Sequence, residues 1–241
     1  MTIKNQFLAI GLAVITTLSG CSENQANEQI TDQQETRTVG DANAQAAAEA
    51  ETKTILFFGN SLTAGYGLDD PDQAFPALIQ QKIDSLDLPY KVINAGLSGE
   101  TTAGGKSRVD WLLKKQQVDV FVLELGANDG LRGIATEETY ANLKAIIEKV
   151  RASNPDVEIV LTGMQVPPSM GQKYSIDFRE VFTRVAQEEN VALVPFLLEG
   201  VGGEADLNQS DGIHPTEEGQ RILASNVWEI LQPLLQEKGP A

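Results

Sequence analysis

The sequence predicts an α/β fold of three layers, α/β/α, in which helices cover both faces of a five-stranded parallel sheet. From Lys53 onwards, short apolar runs alternate with stretches of helical character, which is the pattern of consecutive βα units. The first run, residues 55–58, is apolar throughout, as expected of a central strand covered on both faces. Residues 53–241 are numerous enough to enclose one hydrophobic core. One folded domain is therefore expected, and the first fifty residues are not expected to contribute to its core.

Five strands and five longer helices can be assigned along this domain. The predicted strands are residues 55–58, 92–95, 118–125, 157–161 and 192–195. The predicted helices are residues 74–86, 109–116, 136–153, 178–189 and 216–235. Apolar residues fall on one face of the helices 74–86 and 136–153, as expected of helices that pack on a sheet. Strand 118–125 is the longest apolar run and is expected near the centre of the sheet.

Two connections between these elements allow a functional interpretation. Gly105-Lys106-Ser107 matches the last three residues of a phosphate-binding loop. That motif also requires glycine at the position of Glu100, so we reject it. The glycines of this segment are predicted to serve packing and a loop. The connection 164–171 is long, apolar and stiffened by proline. It is a candidate wall of an acyl pocket, and an ordinary crossover is an equal alternative.

Composition excludes several classes of partner. The chain has 34 acidic and 18 basic side chains, a formal net charge of −16, which repels nucleic acid. Cys21 is the only cysteine and His214 the only histidine, so an intramolecular disulfide and a structural zinc site are not expected. We predict no cofactor, no metal, no nucleic-acid partner and no obligate protein partner.

The first 52 residues have the composition of a secretion signal and a tether. Lys4 precedes an apolar run over residues 7–18, too short to span a membrane. Leu18-Ser19-Gly20-Cys21 resembles a bacterial lipobox, which implies cleavage before Cys21 and lipid attachment to it. An ordinary signal peptide with an incidental cysteine is the alternative. Residues 22–52 are polar and contain no aromatic side chain, so they are predicted to be a disordered tether.

This composition defines three predicted regions. Residues 1–20 are a lipoprotein signal peptide, residues 21–52 are the lipidated cysteine with its tether, and residues 53–241 are the folded domain. The predicted location is the bacterial cell envelope, at the outer membrane or the periplasmic face in a Gram-negative cell.

Ser61 is a candidate nucleophile. It follows the strand 55–58 after Gly59 and Asn60, where the chain leaves the carboxyl end of the sheet. Open α/β sheets bind their ligands at that edge. A serine at this point could also serve as an ordinary turn residue or helix N-cap.

His214 is the one histidine that could activate this serine. A serine hydroxyl needs a base within hydrogen-bond reach, and imidazole is the commonest one. Asp211 lies three residues earlier, on a turn with Gly212, and could orient the ring and stabilise its protonated form. A helix-capping histidine after an ordinary aspartate turn is the alternative for this pair.

Four blocks of the sequence resemble those of the GDSL, or SGNH, hydrolases. They are GNSLTAGYG from Gly59, NAGLSGET at 94–101, ELGANDGLRG at 124–133 and DGIHP at 211–215. The third block is similar to the branch containing the bacterial thioesterase/lysophospholipase L1 enzymes and arylesterases. The resemblance implies a flavodoxin-like SGNH hydrolase fold and an esterase that needs no cofactor.

The resemblance also implies a role for each site residue. Ser61 would be the nucleophile, with Asp211 and His214 completing a triad. The backbone of Ser61, Gly99 and the Asn128 side chain would form the oxyanion hole. One departure is Asn60, where the family usually has aspartate, and it predicts a retuned nucleophile turn. Asp129 is expected to support the Asn128 loop, and Arg132 to lie at the rim.

The resemblance leaves three functions open. The preferred one is hydrolysis of acyl or aryl esters and lysophospholipids, with thioesters as a possible side activity. A carbohydrate O-deacetylase of the same fold is the second. A tethered, non-catalytic binding module, in which Asn60 marks a lost activity, is the third.

Overall fold

The computed structural model describes residues 52–237, with the side chain of Glu237 excepted. The predicted signal peptide, Cys21 and the predicted tether up to residue 51 lie outside the described residues. Within 52–237, no helix combines the length and the apolar character that crossing a bilayer requires.

A five-stranded sheet forms the middle of the domain, and all of its neighbouring strands pair in parallel. The strands are β1 Lys53–Gly59, β2 Tyr90–Asn94, β3 Val120–Glu124, β4 Glu158–Thr162 and β5 Ala192–Val194. Their order across the sheet is β2-β1-β3-β4-β5, which is the flavodoxin-like order. The predicted α/β fold with a five-stranded parallel sheet is confirmed.

Seven α-helices connect the strands within the described range. They are α1 Ser61–Ala64, α2 Phe75–Ser85, α3 Thr102–Leu113, α4 Ala127–Leu131, α5 Thr136–Ser153, α6 Gln172–Glu189 and α7 Glu217–Glu237. Short 3₁₀ turns lie at Pro71–Gln73, Pro168–Met170 and Ala205–Leu207. The helices bury one face each against the sheet, and the phenylalanines of the core are wholly inaccessible to solvent.

Two predicted helices begin earlier than expected. Helix α3 begins at Thr102 instead of 109, because the Thr101 hydroxyl accepts the Gly104 N–H as an N-cap. Gly105 therefore lies in a helix and not in a loop. A β-carbon there would come within 2.3 Å of Leu125 Cδ1, so glycine allows the helix to pack closely on the sheet. Helix α6 begins at Gln172 instead of 178, and none of residues 172–177 is fully buried, so these first turns lack the apolar periodicity of the rest of the helix.

The strand order creates a crevice at the carboxyl edge of β1 and β3. From β1 the chain passes to β2 on one side, then crosses to β3 on the other, and such a switch point is where open α/β sheets bind ligands. In the register of these two strands, Gly59 pairs with Glu124. The loops that leave β1 and β3 therefore begin side by side.

Candidate active site

The turn that carries Ser61 is a sharp strand-to-helix junction. Asn60 caps the short helix α1 by accepting the Leu62 N–H at 3.0 Å, and Gly65 ends it with φ of +70°. A β-carbon on Gly59 would lie 2.1 Å from Thr63 Oγ1 and 2.6 Å from a Glu124 carboxylate oxygen. Only glycine therefore fits where the strand turns into the helix.

His214 lies against this turn. Its Nε2 is 2.9 Å from Ser61 Oγ, and its Nδ1 is 2.6 Å from Asp211 Oδ2. A carboxylate can only accept, so the bond to Asp211 assigns the proton to Nδ1 and leaves the Nε2 lone pair facing the serine hydroxyl. The arrangement can remove a proton from Ser61.

Asp211 is fixed by its own loop. Its Oδ1 accepts the backbone N–H groups of Ile213 at 2.9 Å and His214 at 3.0 Å. The hydrogen bond from the His214 ring, and then these backbone bonds, hold the pKa of the carboxyl well below its usual range. Asp211 is thus ionised at neutral pH and remains an acceptor for the ring.

Two buried or half-buried glutamines join the histidine loop to the serine turn. Gln209 Nε2 donates to the carbonyls of Tyr66 at 2.7 Å and Pro215 at 3.0 Å, while the Gln209 N–H donates to His214 O at 2.7 Å. Gln220, on α7, donates to Leu62 O in the serine turn at 3.5 Å and accepts the Phe75 N–H of α2 at 2.9 Å. These bonds bring together segments about 150 positions apart in the chain, and neither glutamine was identified from the sequence.

The predicted oxyanion-hole residues lie on the neighbouring loops. Asn128 Nδ2 donates one hydrogen bond to Glu100 O at 2.9 Å, and its amide has a second N–H to offer. Gly99 has φ of +81° with open space around it, so the backbone conformation and not crowding requires glycine there. Arg132 Nη2 donates to Gly99 O at 3.1 Å, so this predicted rim residue contacts the Gly99 loop.

Two carboxylates support these loops from behind. Glu100 pairs with Arg108, which also donates to Ala95 O at 2.9 Å and so holds both ends of the Gly99 loop. The buried Asp129 accepts the Thr102 N–H at 2.9 Å and the Thr102 hydroxyl at 2.5 Å. Asp129 therefore ties the Asn128 loop to the start of α3, in the supporting position predicted for it.

Glu124 is a residue of the site that the sequence interpretation missed. It is wholly buried at the end of β3 and accepts hydrogen bonds from Asn60 and Thr63. Burial raises the pKa of its carboxyl to about 7, although these hydrogen bonds lower it. An ionisable residue inside the apolar run 118–125 was the available signal, since buried carboxyl groups need dedicated partners.

Asn60, the departure from the family pattern, is the partner of Glu124. Its Nδ2 donates to Glu124 Oε1 at 2.8 Å, and its Oδ1 caps α1. Ser61 Oγ lies 3.4 Å from the same Oδ1, a longer contact than the one to His214. The Asn60 side-chain amide thus donates to Glu124 with its nitrogen and accepts the Leu62 N–H with its oxygen.

Apolar side chains rise around the site. The Tyr66 ring lies 4.6 Å from the His214 ring, centroid to centroid, and is half-exposed. Leu97, Leu131 and Ile213 are exposed to a similar extent on the other site loops. Val166, from the connection 164–171, would touch a β-carbon on Gly130 and so packs beneath the Asn128 loop.

Most of the chain is similar to proteins of one enzyme family. A model of the GDSL-like lipase/acylhydrolase family matches residues 57–222. Esterase TesA of Pseudomonas aeruginosa is 43% identical over 187 residues, which are 78% of this chain and 92% of that protein. Thioesterase 1/protease 1/lysophospholipase L1 of Escherichia coli K12 is 37% identical over 186 residues, 77% of this chain and 86% of that protein.

Solved structures agree with these relatives. The psychrotrophic esterase EstA from Pseudoalteromonas sp., in a structure inhibited by monoethylphosphonate, is 33% identical and superimposes with a TM-score of 0.71 over 76% of this chain and 99% of that one. The chain belongs to the GDSL-like lipase/acylhydrolase family and is a carboxylic ester hydrolase of the GDSL/SGNH type.

Proposed function

We propose that this hydrolase cleaves acyl and aryl esters, lysophospholipids among them, through an acyl-enzyme on Ser61, and that it acts from a lipid anchor in the bacterial cell envelope. The observation that carries the proposed mechanism is the hydrogen-bonded series from Ser61 Oγ through the His214 ring to Asp211, at 2.9 and 2.6 Å. A tethered binding module would have no need of this series.

In the first half-reaction, Ser61 Oγ attacks the ester carbonyl carbon while His214 Nε2 accepts the hydroxyl proton. The carbonyl oxygen becomes an oxyanion, which accepts hydrogen bonds from the N–H groups of Ser61 and Gly99 and from the Asn128 amide. His214 then gives its proton to the leaving alcohol oxygen as the C–O bond breaks. Asp211 keeps the ring in the orientation that both transfers need.

In the second half-reaction, water attacks the acyl-enzyme by the same route. His214 accepts the water proton, the oxyanion forms again at the same donors, and Ser61 Oγ leaves with the proton that His214 returns. A carboxylic acid is released and the starting state is restored. The proposed cycle uses only side-chain and backbone groups of this chain.

The apolar side chains around the site support a lipid or aryl ester over an acetylated sugar. Tyr66, Leu97, Leu131 and Ile213 leave large apolar surface exposed on the loops that carry the triad and the predicted oxyanion-hole residues. A hydrocarbon chain or aromatic ring that extends from the ester carbonyl attacked by Ser61 would cover this surface. Each Å² of apolar surface buried in this way contributes about 25 cal/mol to binding. An acetyl group on a polar sugar would leave most of it in water.

Lysophospholipid is proposed over acyl-CoA for two reasons. The net charge of −16 opposes a polyanionic thioester. An anchor on Cys21 would also keep the enzyme beside membrane lipid and away from the cytosolic acyl-CoA pool. The name of the Escherichia coli relative includes both thioesterase and lysophospholipase L1, so thioesters are a fitting side activity to measure.

We expect a fluorophosphonate to label the wild-type protein on Ser61 and to inactivate it. The variant Ser61→Ala should lose both labelling and p-nitrophenyl ester hydrolysis, because the attacking oxygen is removed. Ser225→Ala, on the exposed face of α7, is the matched control and should keep both. Intact mass after labelling gives the site directly. An unlabelled wild type would favour the binding module.

Asp211→Asn should lower kcat by about 10²–10⁴-fold, because the amide donates to Nδ1 and moves the ring proton to Nε2. The Nε2 lone pair would then no longer face Ser61. Asp206→Asn removes a nearby exposed carboxylate and should leave kcat unchanged. Equal activity of the two variants would argue against the proposed role of Asp211.

A chain-length series of p-nitrophenyl esters should peak beyond acetyl, because longer chains cover the apolar loops. A sharp optimum at acetyl would instead favour the O-deacetylase. Lysophosphatidylcholine should turn over about tenfold faster than the acyl-CoA of the same chain length, since the net charge repels the latter. Comparable rates would contradict the preference for lysophospholipid.

Cys21→Ala should move the full-length protein from the membrane fraction to the soluble fraction of the producing bacterium, because the site of lipid attachment is lost. Radiolabelled fatty acid should mark the wild type and not the variant. Unchanged fractionation would mean that Cys21 is not the anchor. The esterase assignment would be unaffected by that result.

A further inference from the structure

The carboxylate of Glu124 is joined to both sides of the nucleophile. It accepts the Asn60 N–H at 3.1 Å and the Asn60 side-chain amide at 2.8 Å. It also accepts the Thr63 N–H at 3.3 Å and the Thr63 hydroxyl at 2.7 Å. Asn60 precedes Ser61 and Thr63 follows it by two residues, so one buried group fixes the backbone on either side of the serine.

Three of the four groups that face Glu124 are N–H groups, which can only donate, and the fourth, the Thr63 hydroxyl, can donate as well, so the set matches an unprotonated carboxylate. Asn60 cannot reverse its amide freely, because its Oδ1 already accepts the Leu62 N–H that begins α1. A proton on the Glu124 oxygen nearest Asn60, or an amide nitrogen there, would place two donors against each other. Such a mismatch leaves a buried donor without an acceptor and destabilises the turn.

We propose that Glu124 is a positioning residue for Ser61: its unprotonated carboxylate, matched to the Asn60 amide, holds the nucleophile turn in the geometry that brings Ser61 Oγ to His214. The inference rests on the proposed role of Ser61 as the nucleophile. Within the part of the chain that the structure describes, Glu124 forms no hydrogen bond with Ser61 Oγ or His214. It therefore acts on Ser61 indirectly, through Asn60 and Thr63 of the nucleophile turn.

The surroundings of Glu124 make this role sensitive to pH. On β1 and α1 the groups that face it are Asn60 and Thr63, which do not titrate. On β4 the Thr162 hydroxyl donates to Leu123 O, beside Glu124 in the chain, and not to the carboxylate. In the described structure two effects therefore set the pKa of Glu124: burial raises it, and the four hydrogen bonds from Asn60 and Thr63 lower it.

The direction of the pH effect follows from these contacts. Burial raises the pKa of Glu124 to about 7, and the hydrogen bond from Thr63 Oγ1 is the leading contribution that lowers it. As pH falls through that value, the carboxyl gains a proton that no N–H group facing it can accept, so either a matched hydrogen bond is lost or the Thr63 hydroxyl must reverse its own. The turn then loses its matched geometry, and ester hydrolysis decreases.

The first test is a charge exchange between the two partners. Glu124→Gln should lower kcat by about 10- to 100-fold with little change in KM, because the turn is misplaced while the apolar loops still bind the ester. Adding Asn60→Asp supplies an acceptor opposite the new amide, and the double variant should recover most of the loss. Rates are taken per fluorophosphonate-titrated site, so that unfolded protein is not counted.

The second test uses a milder pair of variants. Thr63→Val removes one donor to the carboxylate and should move the acid limb of the pH profile of kcat/KM to higher pH, whereas Thr63→Ser keeps the hydroxyl and should leave the limb in place. Thr162→Val is the matched control: it removes a buried hydroxyl near the end of β3 that does not reach Glu124. It should change stability without moving the limb.

The outcomes separate this inference from the proposed function. If the wild type neither binds fluorophosphonate nor hydrolyses esters, the proposed function fails. If the wild type is active and Glu124→Gln matches it, or the double variant stays as inactive as the single one, the positioning role fails while the esterase stands. Should Glu124→Gln not fold, as judged by circular dichroism, an acid limb identical in Thr63→Val and Thr63→Ser would overturn the role.

Discussion

The parallel register that pairs Gly59 with Glu124 is the constraint on which the rest of the site depends. It brings the ends of two strands side by side, so that the loops carrying Ser61 and Asn128 begin next to each other. The absent side chain of Gly59 leaves room for Thr63 and the Glu124 carboxylate, which a β-carbon would displace. The sheet thus does more than support the loops, because its last residue pair supplies the group that organises the nucleophile turn.

Hydrogen-bonded carboxylates support the loops of the site at three places. Glu124 holds the serine turn, Glu100 with Arg108 holds the Gly99 loop, and Asp129 ties the Asn128 loop to α3. A buried ionisable group is costly unless it is hydrogen-bonded, and each of these accepts two or more bonds. These hydrogen bonds offset the cost of burying the carboxylates, and they also hold the site loops rigid. Rigid loops matter here because the reacting groups must keep their relative positions to a fraction of an ångström.

Much of the fold could be predicted from the sequence, because each of the five strands contains a short apolar run and the flanking turns contain glycine or proline. The starts of α3 and α6 could not, since α3 begins with a glycine-rich turn fixed by the Thr101 cap and the first turns of α6 contain no fully buried residue. The pairing of Ser61 with His214 was inferred from the family resemblance and from the presence of a single histidine. Gln209 gave no signal, and Glu124 gave only that of an ionisable residue in an apolar run, because the partners of both in the serine turn lie more than sixty positions away.

Asn60 is best understood together with Glu124. With aspartate at position 60, two carboxyl groups would meet in a buried site and would have to share one proton, because like charges at hydrogen-bond distance cannot both remain ionised there. With asparagine, the pair carries one negative charge and all its donors are matched without that proton. Asparagine at position 60 therefore preserves the geometry of the turn and leaves Glu124 as the one group of the pair that can gain or lose a proton. The effect of asparagine at position 60 therefore depends on Glu124, the residue that the fold places beside it.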